Sequence, residues 1–164
     1  MDTDGEFESW YRVHHPRLVR SMLVLTGDQH LADDIVDEAA ARCLKRWRDG
    51  PALDDPTAWT YRVAVNLVRR RARRAALERT ATNYLRGETA ATLSEPSIEL
   101  WREVAALPQR QRTAVVLRYL AGLSQPQVAE AMGISTGAAS ASLTAARHRL
   151  AERLEPEGLD SYAP

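Results

Sequence analysis

The stretch Leu123–Leu150, LSQPQVAEAMGISTGAASASLTAARHRL, decides the fold of the second half of the chain. Ser124 is a suitable N-cap for a short helix, because its hydroxyl can accept a hydrogen bond from a free N–H group of the first turn. Gly133 ends that helix, since glycine readily adopts the left-handed backbone of a helix C-terminus. Ser135 then caps a second helix, in which apolar residues recur with helical period and predict a buried stripe. These residues are Ala139, Leu143, Ala146 and Leu150.

Two helices joined by a short turn that contains glycine are typical of a helix-turn-helix, the alternative being an ordinary helical hairpin. The second helix of a helix-turn-helix lies in the DNA major groove, so its exposed face would contact DNA. That face is poor in charge: serine and threonine can bond to bases or phosphates, but arginine and lysine bind them more strongly. The candidate DNA-binding residues here are Ser135, Thr136, Ser140, Thr144 and Arg147.

The composition is that of an ordinary soluble protein, with 164 residues, 45% of them hydrophobic and 27% charged. The sequence contains no apolar run long enough to predict a membrane span. Its acidic N-terminal residues do not resemble a signal peptide. A single cysteine, Cys43, cannot form an internal disulfide and fits a reducing, cytoplasmic location. The histidines lack metal-ligand spacing, and no nucleophile–base pair or phosphate loop is present. We therefore expect no enzyme activity, cofactor, metal site, membrane partner or small-molecule substrate.

Charge is unevenly distributed, although the net charge is zero. Residues 1–55 carry a net charge of −5, residues 56–86 carry +7 and residues 87–164 carry −2. A chain with an acidic start and a basic middle suggests two different partners. The basic block suits nucleic acid, and the acidic block suits a basic protein surface.

Two helices are predicted before residue 50, at about 5–25 and 29–48. Pro16 predicts a kink in the first, or a break between two shorter helices, because proline removes a backbone donor. Apolar residues at every fourth position of the second helix place Cys43 in the core. Acidic residues early and basic residues late in that helix complement its dipole, and Glu38 and Arg42 form a favourable i,i+4 pair. The alternative interpretation of the same charges is a docking face for a basic partner.

A third helix is predicted from Pro56, with Asp55 as its N-cap. Trp59, Val63 and Leu67 are predicted to form its buried edge. Another face carries arginines at helical spacing, and like charges this close repel one another. We interpret this face as a phosphate-binding surface, with a plain solvated surface as the alternative. Its residues are Arg62, Asn66, Arg69, Arg70 and Arg73.

The sequence thus predicts an all-α fold of two small helical domains, 1–75 and 96–155, joined by a flexible linker. Residues 76–95 lose helical periodicity and are predicted to be that linker. Two short helices, at about 97–106 and 109–121, precede the helix-turn-helix that ends the second domain. Residues 156–164 are predicted to be a frayed tail.

The order and the amino-acid sequences of these segments resemble those of a bacterial RNA polymerase sigma factor of the extracytoplasmic-function (ECF) group. Residues 25–47, LTGDQHLADDIVDEAAARCLKRW, are similar to the segment with which that family binds core polymerase. Residues 54–74, DDPTAWTYRVAVNLVRRRARR, are similar to the segment that melts and reads the minus-ten element. Residues 107–135, LPQRQRTAVVLRYLAGLSQPQVAEAMGIS, resemble the start of region 4, which reads the minus-thirty-five element.

This resemblance implies a protein that binds core RNA polymerase and directs promoter-specific transcription initiation without catalysis. It implies that Asp34, Glu38 and Arg42 dock on polymerase. It also implies that the arginine-rich helix meets promoter DNA around the minus-ten element, where the family flips a base of the non-template strand. Promoter DNA is therefore an expected partner, and the resemblance allows an anti-sigma protein as another.

The sequence departs from the family pattern in three ways. Ala40 and Ala41 stand where a bulky residue is usual, and Arg70 stands where the family has an acidic residue. The recognition helix has small residues at three positions that usually carry lysine or arginine, and fewer phosphate contacts weaken DNA binding. These are Ser140, Ser142 and Ala145. Two other functions remain open on the sequence: a stand-alone helix-turn-helix regulator, and a sigma-like interaction module that initiates poorly.

Overall fold

The computed structural model describes residues 3–81 and 98–154, and all regular structure in these ranges is helical, as predicted. The chain divides into two compact units, one within residues 1–91 and the other within residues 92–164. Most of the predicted linker and the predicted tail lie outside the described residues. The α-helices are α1 (Thr3–Thr26), α2 (Gln29–Asp49), α3 (Pro56–Ala81), α4 (Ile98–Ala105), α5 (Gln109–Val115), α6 (Gln125–Met132) and α7 (Thr136–Arg153).

The first unit is a three-helix arrangement in which α1, α2 and α3 all pack against one another. Its core is closed by Tyr61 of α3, which is only 1% exposed and whose hydroxyl lies 3.2 Å from the hydroxyl of Ser21 on α1. Cys43 of α2 is fully buried, as predicted, and burial raises the pKa of its thiol. Asp55 caps α3 by accepting a hydrogen bond from the Ala58 N–H at 2.9 Å, which confirms the predicted start of this helix.

Pro16 lies inside α1, which is continuous, so the predicted alternative of two shorter helices is wrong. The reason is that α1 packs against the rest of the unit on both sides of the proline. Before it, Phe7 packs edge-on against Trp47 with ring centroids 5.6 Å apart. After it, Leu18 is fully buried. This packing offsets the cost of an interior proline, about 3 kcal/mol.

The buried face of α3 also differs from the predicted edge. Trp59 and Val63 are only half-buried, whereas Leu67 is buried, as predicted. The buried face is wider than a single edge because α3 packs against both α1 and α2. It consists of Thr60, Tyr61, Ala64, Val65 and Leu67. The helix also continues through Ala81, into the stretch that the sequence assigned to the linker.

The second unit begins with α4 and α5. The helix predicted over 109–121 is α-helical only in its first half. At Val116 the α-helix gives way to a π-helical turn, Val116–Leu120. The Ala121 N–H donates to the Val116 carbonyl at 2.9 Å, and the Leu123 N–H donates to the Leu117 carbonyl at 3.0 Å. These wider backbone hydrogen bonds end the helix, and Gly122 follows with a φ of 76°. Hydrophobic periodicity did not predict this turn.

The helix-turn-helix is confirmed as α6 and α7. Ser124 caps α6 in a capping box with Gln127, in which each side chain bonds to the backbone of the other residue. Gly133 ends α6 with a φ of 65°, and Ser135 caps α7 by accepting from the Ala138 N–H at 3.1 Å. The predicted stripe of α7 is buried throughout, with exposed fractions between 0% and 5%.

We expect Gly133→Ala to lower the free energy of unfolding by about 1–2 kcal/mol, because an L side chain strains the left-handed backbone there. Gly137→Ala is the matched control, since Gly137 lies in α7 and a Cβ added to it meets no atom within 4 Å. This control should instead stabilise the protein by about 0.5–1 kcal/mol. Urea denaturation followed by circular dichroism measures both, and an equal loss from the two variants would contradict the assigned turn.

Candidate protein and nucleic-acid interfaces

The basic surface of the first unit lies on α3, opposite the face that packs on α1 and α2. The structure exposes Asn66, Arg70 and Arg73, three of the five residues predicted for this surface. Arg62 and Arg69 are half-buried and also interact with other groups of the chain. Because α3 buries uncharged residues, its arginines lie at half-buried and exposed positions. The result is a cationic strip along one helix, the kind of surface that binds phosphates.

The acidic surface of the same unit lies on α2, where the structure brings together two of the three predicted docking residues. The Arg42 guanidinium donates to Glu38 Oε1, as the i,i+4 spacing predicted. Asp34, the third residue, is exposed one turn earlier. The neighbouring Asp37 accepts a hydrogen bond from the Tyr11 hydroxyl at 3.3 Å. Burial of the Tyr11 phenol raises its pKa, and the negative charge of Asp37 raises it further.

Glu38 also links the acidic and basic surfaces, a contact that the sequence did not predict. Arg71 Nη2 of α3 lies 3.5 Å from Glu38 Oε2, so the two oxygens of one carboxylate face arginines from two helices. Spacing within a helix predicts Glu38–Arg42, but it cannot predict which arginine of α3 lies opposite α2. Only the packing of α2 against α3 selects Arg71 for this pair.

The exposed face of α7 carries the residues predicted to contact DNA. Ser135, Thr136, Thr144 and Arg147 are exposed, and Ser140 is half-buried. Ser142, a position at which the family usually has a lysine or arginine, is 8% exposed and donates to the Ala138 carbonyl at 2.9 Å. Ser142 therefore belongs to the packed side of α7.

Tyr119 is a further residue beside this face that the sequence analysis did not select. It lies in the π-helical turn before α6 and is 47% exposed. Its hydroxyl accepts a hydrogen bond from Arg147 Nε at 3.0 Å. An aromatic residue next to buried apolar neighbours was the available signal, but α-helical periodicity does not place it beside Arg147.

Comparison with known proteins assigns both units. The profile of Sigma-70 region 2 matches residues 10–78, and that of Sigma-70, region 4 matches residues 97–150. The chain is 33% identical over 164 residues to the RNA polymerase sigma-E factor of Streptomyces avermitilis, covering 96% of this chain and 90% of the relative. The chain belongs to the RNA polymerase sigma factors. The sigma-E factor of Streptomyces coelicolor is 30% identical, with coverage of 96% and 91%.

The ECF group, expected from the resemblance, is confirmed as well. The ECF RNA polymerase sigma factor EcfG of Rhodopseudomonas palustris is 27% identical and matches 91% of this chain and 85% of its own. The fold is also that of the sigma factor RpoE of Bartonella quintana, solved with the anti-sigma factor NepR. That structure has a TM-score of 0.81 and 20% identity, with coverage of 93% of this chain and 98% of the other. The two Sigma-70 regions and the sigma-E relatives show that this sigma factor directs transcription initiation.

Two further structural findings apply to the described part of this sigma factor. In residues 3–81 and 98–154, no helix is long and apolar enough to cross a membrane. Within the same ranges, no three His, Cys, Asp or Glu side chains are grouped so that they could hold a metal ion.

We expect Glu38→Gln to change the free energy of unfolding by less than about 1 kcal/mol, because both of its arginine pairs are solvent-exposed. Glu8→Gln is the matched control, since Glu8 forms an exposed i,i+4 pair with Arg12. Thermal and urea denaturation measure both. A loss of several kcal/mol for Glu38→Gln alone would show that Glu38 is structural.

Proposed function

We propose that the two charged surfaces of the first unit have different roles in a sigma factor: one binds core RNA polymerase and the other binds promoter DNA. In this proposal α2 docks on core RNA polymerase through Asp34, Glu38 and Arg42. The observation that carries it is the separation of charge on two packed helices: carboxylates are exposed on α2 and a strip of arginines is exposed on α3. A protein surface that is basic suits the first, and a phosphate backbone suits the second.

The basic strip of α3 is proposed to hold promoter DNA around the minus-ten element. Extruding a base from the stack costs on the order of a few kcal/mol. Guanidinium groups on the neighbouring phosphates would offset that cost, because charge-assisted hydrogen bonds are stronger than neutral ones. The residues proposed for this contact are Arg62, Asn66, Arg69, Arg70 and Arg73.

The helix-turn-helix is proposed to contact duplex DNA at the minus-thirty-five element through α7. Four of the five residues predicted for this contact carry hydroxyls and only Arg147 is charged, so we expect weaker phosphate binding than from a lysine- or arginine-rich helix. The residues proposed for this contact are Ser135, Thr136, Ser140, Thr144 and Arg147.

The proposal also covers where the protein acts and what regulates it. The protein acts in the cytoplasm with core polymerase and promoter DNA, and it supplies no catalysis of its own. The RpoE of Bartonella quintana was solved with an anti-sigma factor, and we propose a partner of this kind here too. The low charge of the α7 face favours one second candidate function, a sigma-like module that docks on polymerase but initiates poorly.

Run-off transcription with core RNA polymerase over a randomised upstream library tests this proposal. We expect specific transcripts from the wild type, and a loss of about tenfold or more for Arg69→Ala/Arg73→Ala, because two phosphate contacts are removed. Arg12→Ala/Arg20→Ala is the matched control, since it removes the same charge from exposed positions of α1.

Three results would count against the proposal. Equal losses from the two double variants would show that α3 has no special role. Polymerase binding without any transcripts would favour the interaction module. Tight binding of the isolated protein to a duplex operator, without polymerase binding, would favour a stand-alone regulator.

A further inference from the structure

Tyr119 is the most exposed aromatic side chain of the second unit's described part, and it lies in an unusual backbone element. The π-helical turn Val116–Leu120 directs its neighbours Val116 and Leu117 fully into the core, yet leaves Tyr119 47% exposed. A π-helical turn is rare, and such turns are frequently found at functional sites. Core packing explains Val116 and Leu117, but it does not explain an exposed tyrosine between them and the helix-turn-helix.

The contacts of Tyr119 are with two arginines. Its hydroxyl accepts from Arg147 Nε at 3.0 Å, a contact between residues 28 positions apart in the sequence. The guanidinium carbon of Arg118 lies 5.9 Å from the centre of the Tyr119 ring, within the range of a cation–π interaction. Arg118 is itself fixed, because its Nη1 donates to the Leu123 carbonyl at 3.1 Å.

The hydrogen bond to Nε is important because it does not use the two terminal Nη groups of Arg147. Among the described residues, Tyr119 is the only hydrogen-bond partner of that side chain. Its two terminal Nη groups are therefore not used within this part of the chain. A guanidinium presents its donors in a rigid planar fork that matches two oxygens of a phosphate. A hydrogen bond at Nε fixes the plane of the fork without occupying those terminal donors.

We propose that Tyr119 is a positioning residue for DNA binding, which holds the Arg147 guanidinium so that its terminal groups contact a DNA phosphate. This inference rests on the proposed role of α7 in contacting the minus-thirty-five element. Arg147 is the only charged residue among the five proposed for that contact, so its orientation carries much of the electrostatic attraction. A preordered arginine loses less side-chain entropy on binding than a free one. The π turn thus contributes to DNA binding from outside the recognition helix.

A double-mutant cycle of Tyr119→Phe and Arg147→Gln tests the inference. Holoenzyme assembled from core polymerase and the full chain is titrated on the promoter selected by the run-off library, over a range of salt concentrations. We expect Tyr119→Phe to weaken promoter binding roughly three- to tenfold, because it removes one charge-assisted hydrogen bond. Arg147→Gln should weaken it at least as much and lower the salt slope by about one.

The cycle separates a positioning role from a merely structural one. If Tyr119 acts through Arg147, Tyr119→Phe has no further effect in the Arg147→Gln background, and alone it gives an intermediate salt slope. Tyr11→Phe is the matched control, since it removes a hydroxyl bonded to the charged side chain of Asp37 in the first unit. It should leave the salt slope unchanged.

Additive losses with an unchanged salt slope, or no loss from Tyr119→Phe, would overturn the inference and leave the proposed function intact. Absence of any promoter-dependent transcript from the wild type would overturn the proposed function and the inference together.

Discussion

The burial of the uncharged face of α3 is the constraint on which the first unit depends. Tyr61 is buried on this face, and its hydroxyl has a hydrogen-bond partner in the hydroxyl of Ser21 on α1. Because charged groups are costly to bury, the six arginines between residues 62 and 74 all lie at half-buried or exposed positions of α3. The uncharged core face therefore leaves Arg70 and Arg73 exposed on the surface proposed to meet DNA, while Arg71 pairs with Glu38 of α2.

In the second unit, helix caps determine the positions of α6 and α7. Ser124 fixes where α6 begins, and Gly133 and Ser135 fix where α6 ends and α7 begins. Caps of this kind each contribute about 1 kcal/mol, which is substantial for a unit with a small core. The exposed face of α7 is then determined by its buried stripe, so the hydroxyl-rich surface follows from the positions of four apolar residues.

Local signals predicted the parts of this sigma factor that are determined locally. Ser124, Gly133 and the stripe of α7 were predictable because capping and helical period act within a few residues. The continuity of α1 across Pro16 was not, since it depends on Phe7 and Leu18 being held by other helices. The same limit applies to the wide buried face of α3, to the choice of Arg71 as a partner of Glu38, and to the π turn that carries Tyr119. The roles of the predicted site residues remain proposals.

The Glu38 carboxylate gives the first unit a physical connection between its two proposed interfaces. It faces Arg42 on its own helix and Arg71 on α3, so a polymerase group that engages Glu38 would compete with both. Exposed pairs of this kind contribute little to stability, which leaves them free to exchange partners on binding. Docking through Glu38 would therefore release an arginine of α3 from its partner on α2.

The central claim is that this protein, once bound to polymerase, opens promoter DNA around the minus-ten element. Permanganate modification of unpaired thymines on a promoter occupied by the holoenzyme tests it most directly. The account predicts reactive thymines around the minus-ten element with the complete holoenzyme, and none with core polymerase or with this protein alone. A promoter that is bound by the holoenzyme but stays fully paired would contradict it.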